Sequence, residues 1–298
     1  QTRNNPFMAK LQRGEKVIAV ELDPPFDQNA QKLMEGAFLL KQSNVDIITL
    51  ADSPLARARA DSVLLAAKVS SMVDIPVMPH IACRDRNRIA LESDLLSAAM
   101  LGIENILCLT GDHTKMGDHP QAKPVFDLDS VSLLHTVKLL ESGVDLVGNE
   151  LVGEPPKFSK GAVVSPCSDS VDAQLAKMER KVAAGADYFQ TQAVFEPEKF
   201  IKFMEKAKQF GKPVQVGIII PKSAGMAKFM NNNVAGIHVP DEMIEELKAD
   251  KEKTKAGITG VEIAARIIKE CKPYCQGVHI MALGWESKIP DLLKLAEI

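Results

Sequence analysis

Aromatic residues are scarce: one Trp, two Tyr and 11 Phe make up 5% of the 298-residue chain. The core must therefore be aliphatic. Hydrophobic residues, at 46%, are numerous enough to build one, which excludes a disordered chain. An excess of either charge is also missing. With 36 basic and 39 acidic residues the net charge is −3, which argues against a general binder of nucleic acid or anionic membrane. No apolar run approaches the ~20 residues of a membrane-spanning helix. The stretch Gln1–Lys10 lacks the apolar centre of a signal peptide. Cysteine is sparse and odd in number: Cys83, Cys108, Cys167, Cys271 and Cys275. Widely spread thiols of this kind read as reduced, and a cytoplasmic location is expected. Cys271 and Cys275 are four apart, but Pro273 between them breaks the shared helix face a metal or redox pair would use.

Eight short runs rich in Val, Ile and Leu are present. They are Val17–Leu22, Asp46–Ala51, Pro76–Ala82, Asn105–Gly111, Ser159–Ser165, Asp187–Val194, Pro213–Pro221 and Gly277–Leu283. Runs with so little polar alternation suit parallel strands buried on both faces. Segments of helical period lie between them: Ala30–Ser43, Arg59–Val73, Ile89–Leu101, Asp129–Ser142, Ser170–Ala184, Glu196–Phe210, Glu242–Lys248 and Gly260–Cys271. Gly102, Gly143, Gly185 and Gly211 stand where helices should stop.

This alternation predicts a single (β/α)8 TIM barrel occupying residues 1–298 as one domain. An open dinucleotide-binding sheet is disfavoured, because Val17–Leu22 runs into Asp23-Pro24-Pro25 rather than a glycine-rich turn. Two connections are long, 112–129 and 222–276, and the charged stretch Lys248–Lys255 reads as a solvated helix end.

Active residues of such barrels sit at the C-terminal ends of the strands. Glu21, inside an aliphatic strand, has no evident structural use, and burial there should raise its pKa and suit it to general acid work. Asp112 follows Gly111 and could equally cap a turn. His80 alone reads as a core histidine, and Gln192 could equally bond a strand neighbour or serve a site. His80 with Cys83 lacks two further ligands for zinc, so no metal site is expected. No Ser/His/Asp nucleophile motif is present.

The sequence resembles the methylenetetrahydrofolate reductases from about Val17 to Ala282. The segments that carry the likeness are Glu21-Leu22-Asp23-Pro24-Pro25, Pro79-His80-Ile81-Ala82-Cys83, Gly102–Leu107 leading to Thr110-Gly111-Asp112, Val125–Ser130, and Arg180–Asp187 running on to Gln190-Thr191-Gln192. The resemblance implies a flavoenzyme that reduces 5,10-methylenetetrahydrofolate to 5-methyltetrahydrofolate by ping-pong hydride transfer. It implies Glu21 as the acid that protonates the folate, Asp112 as a carboxylate contacting pterin and flavin, and Gln192 as a folate contact. Flavin contacts fall on Thr49, Leu50, Asp52, His80, Thr110, Gly111 and Asp127. Ser165, Gln174, Lys177 and Lys181 match the segment that holds the distal part of the cofactor.

Several positions depart from the best-known bacterial pattern. Thr110 stands for an Arg, Ser165-Pro166 for an aromatic-Pro pair, Gln174 for an Asp, and Gly284-Trp285 for an Asn-Arg pair. These leave open FAD or FMN as cofactor, and NAD(P)H, ferredoxin or a redox partner subunit as electron donor. Trp285 is a candidate platform for pterin or nicotinamide. A homo-oligomer is expected, with a hetero-complex as an alternative. Two other readings are a pterin-binding methyltransferase without flavin and a reductase subunit inactive without its partner.

Overall fold

The computed structural model describes residues 5–298; Gln1 to Asn4, part of the stretch read for a leader, lie outside the described residues. The eight apolar runs form strands β1 (Val17–Leu22), β2 (Ile47–Leu50), β3 (Val77–Ala82), β4 (Asn105–Leu109), β5 (Ser159–Val164), β6 (Tyr188–Ala193), β7 (Val214–Ile219) and β8 (Gly277–Met281). Each pairs in parallel with the next, and β8 closes on β1, giving a (β/α)8 TIM barrel. Helices cover the outside. The four glycines expected to stop them all have left-handed φ, from +65° at Gly211 to +117° at Gly185.

Strand periodicity sorts side chains to two faces. Ile18, Val20, Leu22, Ile48, Leu50, Val278 and Ile280 face the helices in the large outer core. The alternate residues Val17, Ala19, Ile47, Met78, Leu107 and Tyr188 fill the lower lumen together with Phe7 and Leu11. Phe7 and Leu11 belong to a helix, Pro6–Gln12, that the sequence reading did not anticipate. It plugs the lower end of the barrel, with Phe7 edge-on to Tyr188 at 5.2 Å between ring centroids. The Tyr188 hydroxyl lies against the sulfur of Met78 and donates to the Ile106 carbonyl at 3.3 Å. Gly161 on β5 leaves room for this ring; a Cβ there would lie 2.6 Å from it.

The long connection after β7 is not a loop. It holds helices Ala224–Asn233, Asp241–Ala249, Lys251–Lys255 and Ile258–Cys271. The charged stretch is the end of one helix and the whole of a short one, consistent with its solvated character. A last helix, Ile289–Ala296, packs against Ile258–Cys271 and was not foreseen either. All five cysteines are free and buried. None of the described helices is long and apolar enough to cross a membrane.

Candidate active site

Above the aliphatic plug the lumen turns polar. Glu21, Thr49, His80, Gln190, Gln215 and His279 continue the inward-facing rows of β1, β2, β3, β6, β7 and β8. Glu21 Oε1 lies 3.6 Å from His80 Nε2 and 3.6 Å from His279 Nε2. Strands β1 and β3 are not neighbours, so the first contact is made across the lumen. Thr49 Oγ1 stands 3.4 Å from His279 Nε2. The side chains of Glu21, His80 and His279 are 15%, 7% and 5% exposed.

This geometry corrects the expectation that burial raises the pKa of Glu21. Burial does push it up, but the close approach of His279 and the fields of His80 and His279 outweigh burial and hold it below the ordinary range. Burial lowers His80, against the opposing field of Glu21. His80 is also not the satisfied core histidine it resembles in sequence, since its Nε2 has no hydrogen-bond partner. Cys83 faces the outer core, away from His80. At the rim above Glu21, Asp23 is exposed, yet desolvation in the mouth and then Glu21 push it up to about 6, against Arg59.

Asp52 does not stand free beside this cluster. Its carboxylate accepts from the Ala82 amide at 2.8 Å and from both terminal nitrogens of Arg86, at 2.6 and 3.3 Å. Burial opposes the charge on Arg86, but Asp52, with Asp94 and Asp61, raises its pKa above the usual value. Leu50 points into the outer core, leaving only its backbone toward the mouth. Arg84, 2% exposed, threads the loops after β2, β3 and β4. It donates to the Ser53 carbonyl at 3.2 Å and the Asp112 carbonyl at 3.4 Å. Gly111 has φ +96°, which strains any other residue, and a Cβ there would meet Ala82 and Arg84 in a tight contact at 3.2 Å. Thr110, Gly111 and Asp112 are exposed at the rim, and the Thr110 hydroxyl accepts from the Ser130 amide at 3.0 Å.

The remaining candidates spread around the mouth. Asp127 is clasped by Arg88 at 2.9 and 3.1 Å, which lowers its pKa to about 2. Gln174 accepts from the Ser165 amide at 3.1 Å, tying the helix Val171–Ala184 to the end of β5. Lys181, two turns further along, donates to the Val163 carbonyl at 2.6 Å. Burial, then the nearby Lys177 and Arg180, push it down to about 8. Lys177 is exposed on the same helix. Gln192 sits in an irregularity of β6, where the pairing with β7 slips between Gln190 and Ala193. The Thr191 hydroxyl accepts there from the Gly217 amide at 2.8 Å, and a Cβ on Gly217 would lie 2.3 Å from the Thr191 carbonyl. Such a bulge re-aims side chains at a strand end. Trp285, half-buried, carries Lys222 over its ring at 5.1 Å from the centroid. The non-glycine residues Ser53, Leu55, Ala56, Phe126 and Leu283 all have positive φ, and all lie in loops of this face.

The family model described as methylenetetrahydrofolate reductase matches residues 7–297. The chain belongs to the methylenetetrahydrofolate reductase family. Methylenetetrahydrofolate reductase 2 of Schizosaccharomyces pombe is 28% identical over 244 residues, covering 78% of this chain and 37% of that protein. The 5,10-methylenetetrahydrofolate reductase of Salmonella typhimurium is 26% identical over 274 residues, covering 89% of this chain and 84% of that protein. The chain therefore spans little more than a third of the yeast relative and most of the bacterial one. Among solved structures, the tetrahydromethanopterin reductase of Methanopyrus kandleri aligns with a TM-score of 0.56 at 13% identity, over 94% of this chain and 97% of that one. DHPS of Yersinia pestis aligns at 0.51 and 10% identity, over 95% and 94%. At these identities the likeness shows the barrel fold alone.

Within this barrel, sequence reading missed His279, Asp23, Gln190 and Gln215. His279 was detectable: it is the inward residue of the eighth run, two positions after Gly277, and the register places it opposite Gly217. Gln190 and Gln215 pair across β6 and β7, and their side-chain amides have no partner. Glutamines in two buried runs were a signal of the same kind.

Proposed function

We propose that this protein reduces 5,10-methylenetetrahydrofolate to 5-methyltetrahydrofolate, with a flavin as cofactor and Glu21 as the proton donor. The observation that carries the reading is the Glu21 carboxylate, buried at the C-terminal end of β1 between His80 and His279. When bound, the flavin supplies hydride chemistry that no protein side chain provides. Glu21 gives a proton to the folate nitrogen as its bond to the methylene carbon breaks, leaving an electrophilic iminium carbon. His80 and His279 hold Glu21 ionised before folate binds. A pterin closing over the carboxylate strips it of water and drives it toward the protonated form. His80 and His279 lie close enough to hand that proton over. Asp112 and Gln192 orient the pterin from the ends of β4 and β6.

The residues present fit a phosphate-bearing flavin. Lys181 is a largely buried cation held beside a carbonyl, with Lys177 and Arg180 close by, a cluster that calls for an anion. Gly111, whose positive φ favours glycine, leaves backbone as the lining at the end of β4.

The test is Glu21→Gln. The variant should retain flavin and accept electrons from its donor, while folate reduction falls by at least about 100-fold, the usual weight of a general acid. Folate turnover within about tenfold of wild type, a loss below ~1.4 kcal/mol, would remove Glu21 from that role. A purified protein that is colourless and stays so with FAD or FMN would sink the flavin part.

A further inference from the structure

We propose that Glu21, His80 and His279 form a binding site for one zinc ion, which competes with folate for the floor of the barrel. The three ligand atoms all lie within 4.8 Å of one another. Both histidine Nε2 atoms are 3.6 Å from the same carboxylate oxygen. Zinc bonds of about 2.0–2.2 Å in tetrahedral geometry set neighbouring ligand atoms roughly 3.4 Å apart. The two separations from the carboxylate oxygen need to close by only a few tenths of an ångström, and the two imidazoles offer nitrogens within 4.8 Å of each other. Two imidazoles and one carboxylate are a recurrent ligand set for catalytic zinc, which keeps a further position open.

Two further observations point to a ligand. His80 is 5% exposed, and its Nε2 has no hydrogen-bond partner although it faces the carboxylate. A buried orphan nitrogen of this kind is costly unless something occupies the space in front of it. The local charge also favours a cation. The carboxylates of Glu21 and the nearby Asp23 both add negative potential there. The three ligands stand on β1, β3 and β8, which the closed barrel fixes relative to one another, so little ordering is needed on binding. Glu21 retains 15% side-chain exposure, which is the way in from the mouth.

A zinc ion on Glu21 holds the carboxylate deprotonated and occupies its lone pair, so the metal-loaded protein cannot donate the proton. This consequence rests on the reading of Glu21 as the acid; the site itself does not. The test is calorimetric titration of Zn²⁺ into the protein as purified, after treatment with chelator, followed by zinc-edge X-ray absorption of the complex. One ion per chain should bind, with nitrogen and oxygen neighbours, and added folate should displace it. His279→Ala and the near-isosteric Glu21→Gln should each weaken binding by about tenfold or more, the scale on which lost ligands act. Circular dichroism checks that both are folded. Absence of binding, an affinity unchanged in both variants, or sulfur neighbours from the cysteines would overturn the proposal. Zinc binding as described in a protein that reduces no folate when metal-free would keep the site and discard the reductase reading. Folate reduction untouched by zinc would do the reverse.

Discussion

Lys181 carries a charge in an unfavourable place. Its pKa falls from 10.5 to about 8 in the folded chain, so between those values the unfolded chain binds more protons. Stability then rises as pH rises through that window, and the cost is present in full below about pH 8. Lys181→Met should therefore stabilise the flavin-free protein at pH 7 by roughly 1–2 kcal/mol and flatten the rise above pH 8. It should also weaken retention of a phosphate-bearing cofactor. A thermal melt series from pH 7 to 10 checks the first part, and an unchanged slope would show that the ammonium is solvated. Asp52 makes the opposite case. Its carboxylate is 4% exposed and joins β2 to the Ala82 amide and Arg86. Asp52→Ala leaves a guanidinium buried without its main partner and should cost about 3–5 kcal/mol in urea unfolding. A loss under 1 kcal/mol would mean that Asp94 and Asp61 suffice for Arg86.

The elements show why some of this structure was legible and some was not. The eight strands were readable because each is largely buried on both faces, so most are rich in Val, Ile and Leu; β6, Tyr-Phe-Gln-Thr-Gln-Ala, has none of these and was marked by its aromatics and its place in the alternation. The helix ends were readable because glycine alone adopts the required φ at low cost. The helix Pro6–Gln12 was not readable, because seven residues give too little periodicity and its apolar pair, Phe7 and Leu11, faces a lumen that exists only in the closed barrel. The site divided in the same way. Glu21 betrayed itself as a carboxylate in an apolar run. The partnership of His80 with His279 depends on strands almost 200 residues apart in the chain becoming three places apart in the closed barrel. The plug has a measurable weight: Phe7→Ala should cost about 3–5 kcal/mol, since the ring is 1% exposed and no neighbour can fill its place. A loss below 1 kcal/mol in chemical unfolding would show that the helix is ornamental to the barrel.

For the whole molecule, acid is the condition most informative about its surface charges. Asp127 is held at about 2 by its bonds with Arg88, and backbone amides and Arg266 lower Asp129 and Glu246 respectively. Carboxylates depressed in the folded state contribute stability above their unfolded values near 4, and that contribution is lost as pH falls toward their folded ones. The melting temperature should therefore decline from about pH 4 downward, and Asp127→Asn should make that decline shallower. Calorimetry from pH 2.5 to 6 measures it; a flat profile would mean these pairs are no stronger in the folded chain. Asp23 works in the other sense, losing a penalty as pH drops below about 6. The plug helix has a further consequence, which concerns the order of synthesis. Phe7 leaves the ribosome ahead of every strand, yet the ring it packs against, Tyr188, belongs to the sixth. With chain growth of about 5–20 residues per second, Phe7 and Leu11 wait roughly ten seconds or more with nothing to cover them. During that interval the nascent chain carries an exposed apolar helix face ahead of its barrel strands, the natural handhold for a chaperone.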